Sequence, residues 1–187
     1  MPTGYQISKQ GAVYFLTLQV VYWIDIFSRK RYKEIIKENL NYCIEKKGLI
    51  VYSYVIMSNH VHLVVQSKNN NLSDLVRDFK KYSTARLLFS IQNETESRKE
   101  WMLKLFAHAA SGHQRNINYQ IWTYENHAEE IYSNKFTLQK IKYIHNNPVK
   151  AGIVERAEDY IYSSACDYIG EKGIVNVDVI NLHLLMS

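Results

Sequence analysis

Only two cysteines occur in the chain of 187 residues, Cys43 and Cys166, and no Cys-x-x-Cys spacing joins them. That excludes a disulfide framework and a cysteine-built zinc knuckle, and it fits a reducing cytosol. Seven glycines and two prolines are too few for a long disordered linker. No apolar run approaches the roughly 18 residues of a membrane span. The opening MPTGYQISKQ has no basic patch followed by an apolar stretch, so no export signal is read there. The expectation is a soluble, cytoplasmic protein with no membrane partner, folded as one domain over residues 1–187. Its core spans about 12–165, and the tail 166–187 has no assigned role.

What is present is a hydrophobic fraction of 47%, fifteen tyrosines and a net charge of +5. The positive charge is interleaved with aromatics in SRKRYK (28–33) and RDFKKYSTAR (77–86). Cations reach phosphates and aromatic faces stack on unpaired bases, so these runs suit a nucleic-acid partner. Solvated helix faces with buried rings would produce the same pattern.

AVYFLTLQVVYW (12–23) is β-branched and aromatic and reads as a strand. RYKEIIKENLNYCIEKKG (31–48) carries apolar residues at helical spacing and closes on glycine. LIVYSYVIM (49–57) and HVHLVVQ (60–66) read as antiparallel neighbours joined at Ser58 and Asn59. LSDLVRDFKKYSTARLLFSIQ (72–92) is a second helix, with Tyr82 on its apolar face. Residues 93–118 read as a loop or insertion, with a short helix possible around KEWMLKLFAHAA. YQIWTYENHAEEIY (119–132) supplies the last strand, Ile121, Thr123 and Glu125 opposing Trp122, Tyr124 and Asn126. A further helix starts at Ser133 or Asn134 and is limited by Pro148, because the residue before a proline is pushed out of the α region. This order predicts an α+β fold, a ferredoxin-like antiparallel sheet with helices packed on one face, plus a tyrosine-bearing helix.

Alternation along a strand puts His60 and His62 on one face with Val64, and Val61, Leu63 and Val65 on the other. Two imidazoles on a rigid sheet can converge on one ion. A half-exposed strand edge is the bland alternative. Further along, Tyr143 and Asn147 are four residues apart on a helix and share a face, while His145 points elsewhere.

YVIMSNHVHLVV (54–65) resembles the HUH signature, His-hydrophobic-His, of the IS200-like single-tyrosine transposases, in the branch that includes the REP-associated tyrosine transposases. KYIHNNPVKAGIV (142–154) resembles the tyrosine helix of the same family, and Tyr162, Ser163 and Ser164 follow at the family's spacing. The resemblance covers about Tyr14 to Ser164. It implies that Tyr143 is the nucleophile and that His60, His62 and Asn147 hold Mg²⁺ or Mn²⁺. It also implies single-stranded DNA with hairpin ends as substrate, a 5′-phosphotyrosine intermediate, a free 3′-hydroxyl and a homodimer. The chain departs from the family at Ser58 and Asn59, where relatives commonly carry a proline, and at Asn147, where Gln is frequent.

Two rival readings stand beside this one. A nucleic-acid-binding module could keep the fold without cleaving. A replication-initiator or relaxase-type HUH nuclease often has the motifs in another order, so His60 preceding Tyr143 favours the transposase. His108, His113 and His127 are further possible ligands, each more simply read as a surface histidine, and His127 lies just before the tyrosine helix. Tyr82 is read as core, and Tyr160 and Tyr162 as packing.

Overall fold

A computed structural model describes residues 6–111 and 118–182. Its elements run β1 (Tyr14–Gln19), α1 (Lys30–Lys47), β2 (Leu49–Ile56), β3 (His60–Ser67), α2 (Leu72–Asn93), α3 (Lys99–Ser111), β4 (Glu129–Glu130) and α4 (Asn134–Lys150). The sheet order is β2-β3-β1-β4, with every neighbouring pair antiparallel. This is the expected ferredoxin-like arrangement, in which a helix crosses over between β1 and β2 so that β3 fits between them.

Local chemistry sets the element ends. Gly48 closes α1 in the left-handed region at φ 76°, its N–H donating to the Cys43 carbonyl, a conformation glycine adopts without a Cβ clash. Ser133 caps α4, its side chain accepting from the Phe136 N–H.

The two faces of the sheet are both covered. Residues Val61 through Val65 are all buried, which a half-exposed strand edge would not show. α1 and α2 pack together over one face, against β2 and β3. α4 lies on the histidine face, where the Tyr143 ring meets Phe15 and His62. Leu16 and Leu18 are fully enclosed, and truncating either to alanine would cost roughly 2–5 kcal/mol.

Four expectations need correction. Residues 119–132 do not form a full strand: only Glu129 and Glu130 pair with β1. Ile121 and Trp122 are both buried and meet Val20 and Val21 through one isolated bridge and one backbone hydrogen bond, not through a ladder. Trp122 is wedged between Phe27 and Phe79, with its Nε1–H donating to Ser83 Oγ at 2.9 Å. The stretch still covers the edge of β1, through Thr17 N–H to the Asn126 carbonyl and Thr123 N–H to the Gln19 carbonyl.

Within 93–118, residues Lys99–Ser111 are a full helix, because Met102, Phe106 and Ala110 recur every four residues and bury one stripe. Pro148 does not stop α4, which runs to Lys150. Pro148 and Ile144 are buried together on the packed side of the helix, and that packing outweighs the lost backbone bond. Asn147 therefore sits within the helix. Tyr82 is not core: it is 46% exposed and stacks on Tyr42.

The stretch after α4 and the described part of the tail also have a place. Val55 bridges Ser163, the Ile56 N–H donates to the Tyr162 carbonyl and the Ser164 N–H to the Tyr54 carbonyl. Residues 162–164 thus occupy the open edge of β2, a position that otherwise invites pairing with another chain. Val175 is buried beyond them, and the Asp178 N–H donates to the Val51 carbonyl.

Candidate active site on the histidine face

Cross-strand register places Thr17 opposite His62 and Gln19 opposite His60. The two imidazoles stand side by side with ring centroids 4.5 Å apart. The His62 ring stacks on Phe15 at 5.3 Å and meets the Tyr143 ring edge-on at 5.2 Å. Asn147, one turn on from Tyr143, lines the same cleft of about 910 Å³. The structure thus brings His60, His62, Tyr143 and Asn147 together within one chain.

The imidazoles are held by their Nδ1 atoms. His62 Nδ1 lies 2.9 Å from Thr17 Oγ1, and His60 Nδ1 lies 2.7 Å from Asn59 Oδ1. Asn59 Nδ2 donates to the Trp23 carbonyl, so the atom turned to His60 is an acceptor, and His60 Nδ1 carries the proton. That leaves the lone pair of His60 on Nε2. Burial holds both rings in the neutral form: His60 is lowered to about 4, and His62 to about 3, with His60 and Lys140 adding to the burial effect.

Positive charge surrounds this pair. Lys140 sits 4.1 Å from the Phe15 ring centroid and pairs with Glu129 at 2.8 Å. Lys150 lies 5.9 Å from the Tyr143 ring, and Lys142 lines the cleft beside it. An anionic ligand would enter against a polar, cationic wall.

The two basic runs behave differently. Arg29 and Arg31 both bond Glu96, whose side chain is fully enclosed. Arg77 pairs with Asp74 and Asp78, and Arg86 with Glu38. Four of the eight cations in the two runs are thus ion-paired within the chain, and Lys33 and Lys80 donate to the Tyr160 hydroxyl and the Thr123 carbonyl.

The model of the family described as transposase IS200 like matches residues 9–147, most of the chain, including His60, His62, Tyr143 and Asn147. The chain belongs to this family. No curated protein is detectably similar to this IS200-like transposase. A solved structure of a REP-associated tyrosine transposase bound to a REP hairpin is similar in fold, with a TM-score of 0.63 at 18% identity. The likeness covers 96% of this transposase and 94% of that chain. Among the described residues, no helix of the IS200-like transposase is long and apolar enough to cross a membrane.

Of the other histidines, His127 lines the cleft near Glu125 at 3.7 Å, while His108 bonds the Tyr22 hydroxyl at 2.8 Å on α3. His113 lies outside the described residues. Tyr160 and Tyr162 are buried, bonding the Ile56 carbonyl and Glu34. His145 turns away from the cleft to Ser53 and Ser164.

Sequence reasoning missed Thr17, Trp23, Asn59 and the cleft lysines. A signal for the lysines was available: Lys140, Tyr143, Asn147 and Lys150 step by three or four residues along one side of α4.

Proposed function

We propose that this transposase cleaves and rejoins single-stranded DNA through Tyr143, with His60, His62 and Asn147 holding Mg²⁺ or Mn²⁺. The observation that carries the reading is the meeting of the Tyr143 ring with His62 at 5.2 Å beside the His60 ring.

The donor set fits such an ion. It offers the two imidazole Nε2 atoms and an amide oxygen, and among the described residues no third His, Cys, Asp or Glu joins the histidines. A set without formal charge binds a hard divalent cation weakly and leaves room for phosphate oxygens. When bound, the cation would polarise the phosphate and offset the charge that builds in the transition state.

The chain's own groups supply the rest. Tyr143 is 42% exposed, so its hydroxyl can meet a strand lying in the cleft and give its proton to solvent. Its oxygen bonds to phosphorus as the bond from phosphorus to the 3′-oxygen breaks. The departing 3′-oxygen takes up a proton and leaves as a free hydroxyl, while the 5′-phosphate stays on tyrosine. Attack by a 3′-hydroxyl reverses the step and frees Tyr143. No ATP is consumed, because one phosphoester replaces another. Lys142 and Lys150 hold the strand against the site.

A hairpin-ended substrate is supported by the hairpin in the fold relative's complex. A homodimer would serve the joining of two DNA ends, which uses two tyrosines, rather than the assembly of one site.

The test is covalent capture. The purified chain is incubated with single-stranded oligonucleotides from its flanking genomic DNA, under Mg²⁺ or Mn²⁺, and the captured strands are sequenced. A denaturation-resistant adduct that Tyr143→Phe loses while still binding DNA supports the reading. No adduct from the parent under either ion would replace it with the binding module.

A further inference from the structure

Tyr22 and Trp23 are consecutive residues in the left-handed region, at φ 55° and 56°. Bulky side chains rarely adopt that conformation, and it persists only where surrounding contacts enforce it. The contacts here are specific. The Trp23 N–H donates to the Val20 carbonyl, the Val20 N–H donates to the Asn59 carbonyl, and Asn59 Nδ2 donates to the Trp23 carbonyl. The Tyr22 hydroxyl is tied to His108 Nδ1.

The strained turn buries Val21 and Ile24 but not its two aromatic rings. The Trp23 side chain is 62% exposed. It stands at the wall of the catalytic cleft, its ring 6.4 Å from that of His60 and nearly perpendicular to it. One asparagine braces both groups, since Asn59 accepts from His60 Nδ1 and donates to the Trp23 carbonyl. The indole face is therefore held in register with the imidazole beside which the phosphate would sit.

We propose that Trp23 is a stacking platform for the nucleobase flanking the phosphate that is cut. The proposal rests on the DNA-cleaving reading above. An exposed, rigidly held indole suits a base because every base has a π-face, and stacking of this kind tolerates any sequence. The lysines would hold phosphates, and Trp23 would hold the base between them in place.

The experiment measures fluorescence anisotropy with two labelled probes, an oligo-dT dodecamer and an abasic dodecamer with the same phosphates. Both are titrated with Tyr143→Phe protein, alone and combined with Trp23→Ala, Trp23→Phe or Trp23→Gly. Trp23→Ala is expected to weaken oligo-dT binding about tenfold or more and to leave the abasic probe unchanged. Trp23→Phe should recover most of the loss. Trp23→Gly should lose the same base-dependent binding with a melting temperature equal to or above the parent's, because glycine relieves the backbone strain. Equal weakening toward both probes, or toward neither, overturns the platform while DNA binding stands. Failure of the Tyr143→Phe protein to bind either probe removes the DNA reading, and the platform with it.

Discussion

The Tyr143 ring lies edge-on to the His62 ring of the same chain, centroids 5.2 Å apart. The candidate nucleophile and candidate ligands thus lie together in one chain. If this geometry is the working one, mixing Tyr143→Phe protein with a His60→Gln/His62→Gln double variant restores no covalent adduct on single-stranded DNA, because each copy lacks one half of its own site. Recovery of adduct in the mixture would show that the tyrosine acts on the neighbouring copy's histidines.

Lys142 and Lys150 are exposed at the cleft, whereas Arg29 and Arg31 are committed to Glu96. Each lysine that neutralises a phosphate adds roughly 0.7 to the slope of log affinity against log salt for single strands. Replacing both by alanine should lower that slope by about 1.4. Arg31→Ala should leave the slope alone and destabilise the fold, since it strips one partner from a buried carboxylate. A slope that follows Arg31 rather than the lysines would move the phosphate path to the α1 side.

The elements legible in the sequence were those whose pattern is local. Val61, Leu63 and Val65 against His60 and His62 is a period of two within one strand, and Tyr143 to Asn147 is one helical turn. Ser133 and Gly48 announce helix ends by their own backbone chemistry. What stayed hidden depends on partners distant in sequence. Nothing near His62 says that Thr17 will face it, because that follows from the register of β1 on β3. The run 28–33 looked like a DNA surface because Glu96, which neutralises it, arrives from beyond α2. The sequence pattern alone places Trp23 in a strand. Its left-handed backbone is imposed by Asn59 and Val20, a tertiary constraint no propensity carries.

Thr17 and Asn59 should act on metal affinity. Each fixes the Nδ1 side of one imidazole, and removing such an outer partner typically costs 10–100-fold in metal affinity. The expected result for Thr17→Val and Asn59→Ala is a Mn²⁺ requirement for adduct formation raised by about tenfold or more, with Mn²⁺ binding weakened to match when free ion is read by electron paramagnetic resonance. Unchanged binding in both variants would mean that the rings need no such support.

Acid should loosen the metal-free protein in two overlapping stages. Burial lowers His60 to about 4, His62 to about 3 and His145 to about 4, from an ordinary 6.5. Between those values the unfolded chain binds more protons than the folded one, so the stability contributed by the neutral rings is whole above about 6.5 and is lost as pH falls toward 4. For His62, only 5% exposed, the loss between pH 6.5 and 5 is about 1.6 kcal/mol; the two half-buried rings contribute less. Glu96 follows later. Burial alone would raise it, but bonds from the Arg98 backbone, Tyr32 and Arg29 outweigh that and hold it at about 2, against an ordinary 4.5. Its contribution therefore stays intact until pH drops below about 4.5 and fades toward 2. Urea midpoints should fall already between pH 7 and 5, above the range in which Glu96 titrates, and His62→Gln should flatten that first limb and lessen the loss down to about pH 3. A midpoint constant down to pH 5 would mean that the histidine face admits solvent freely, which is incompatible with α4 closing over it.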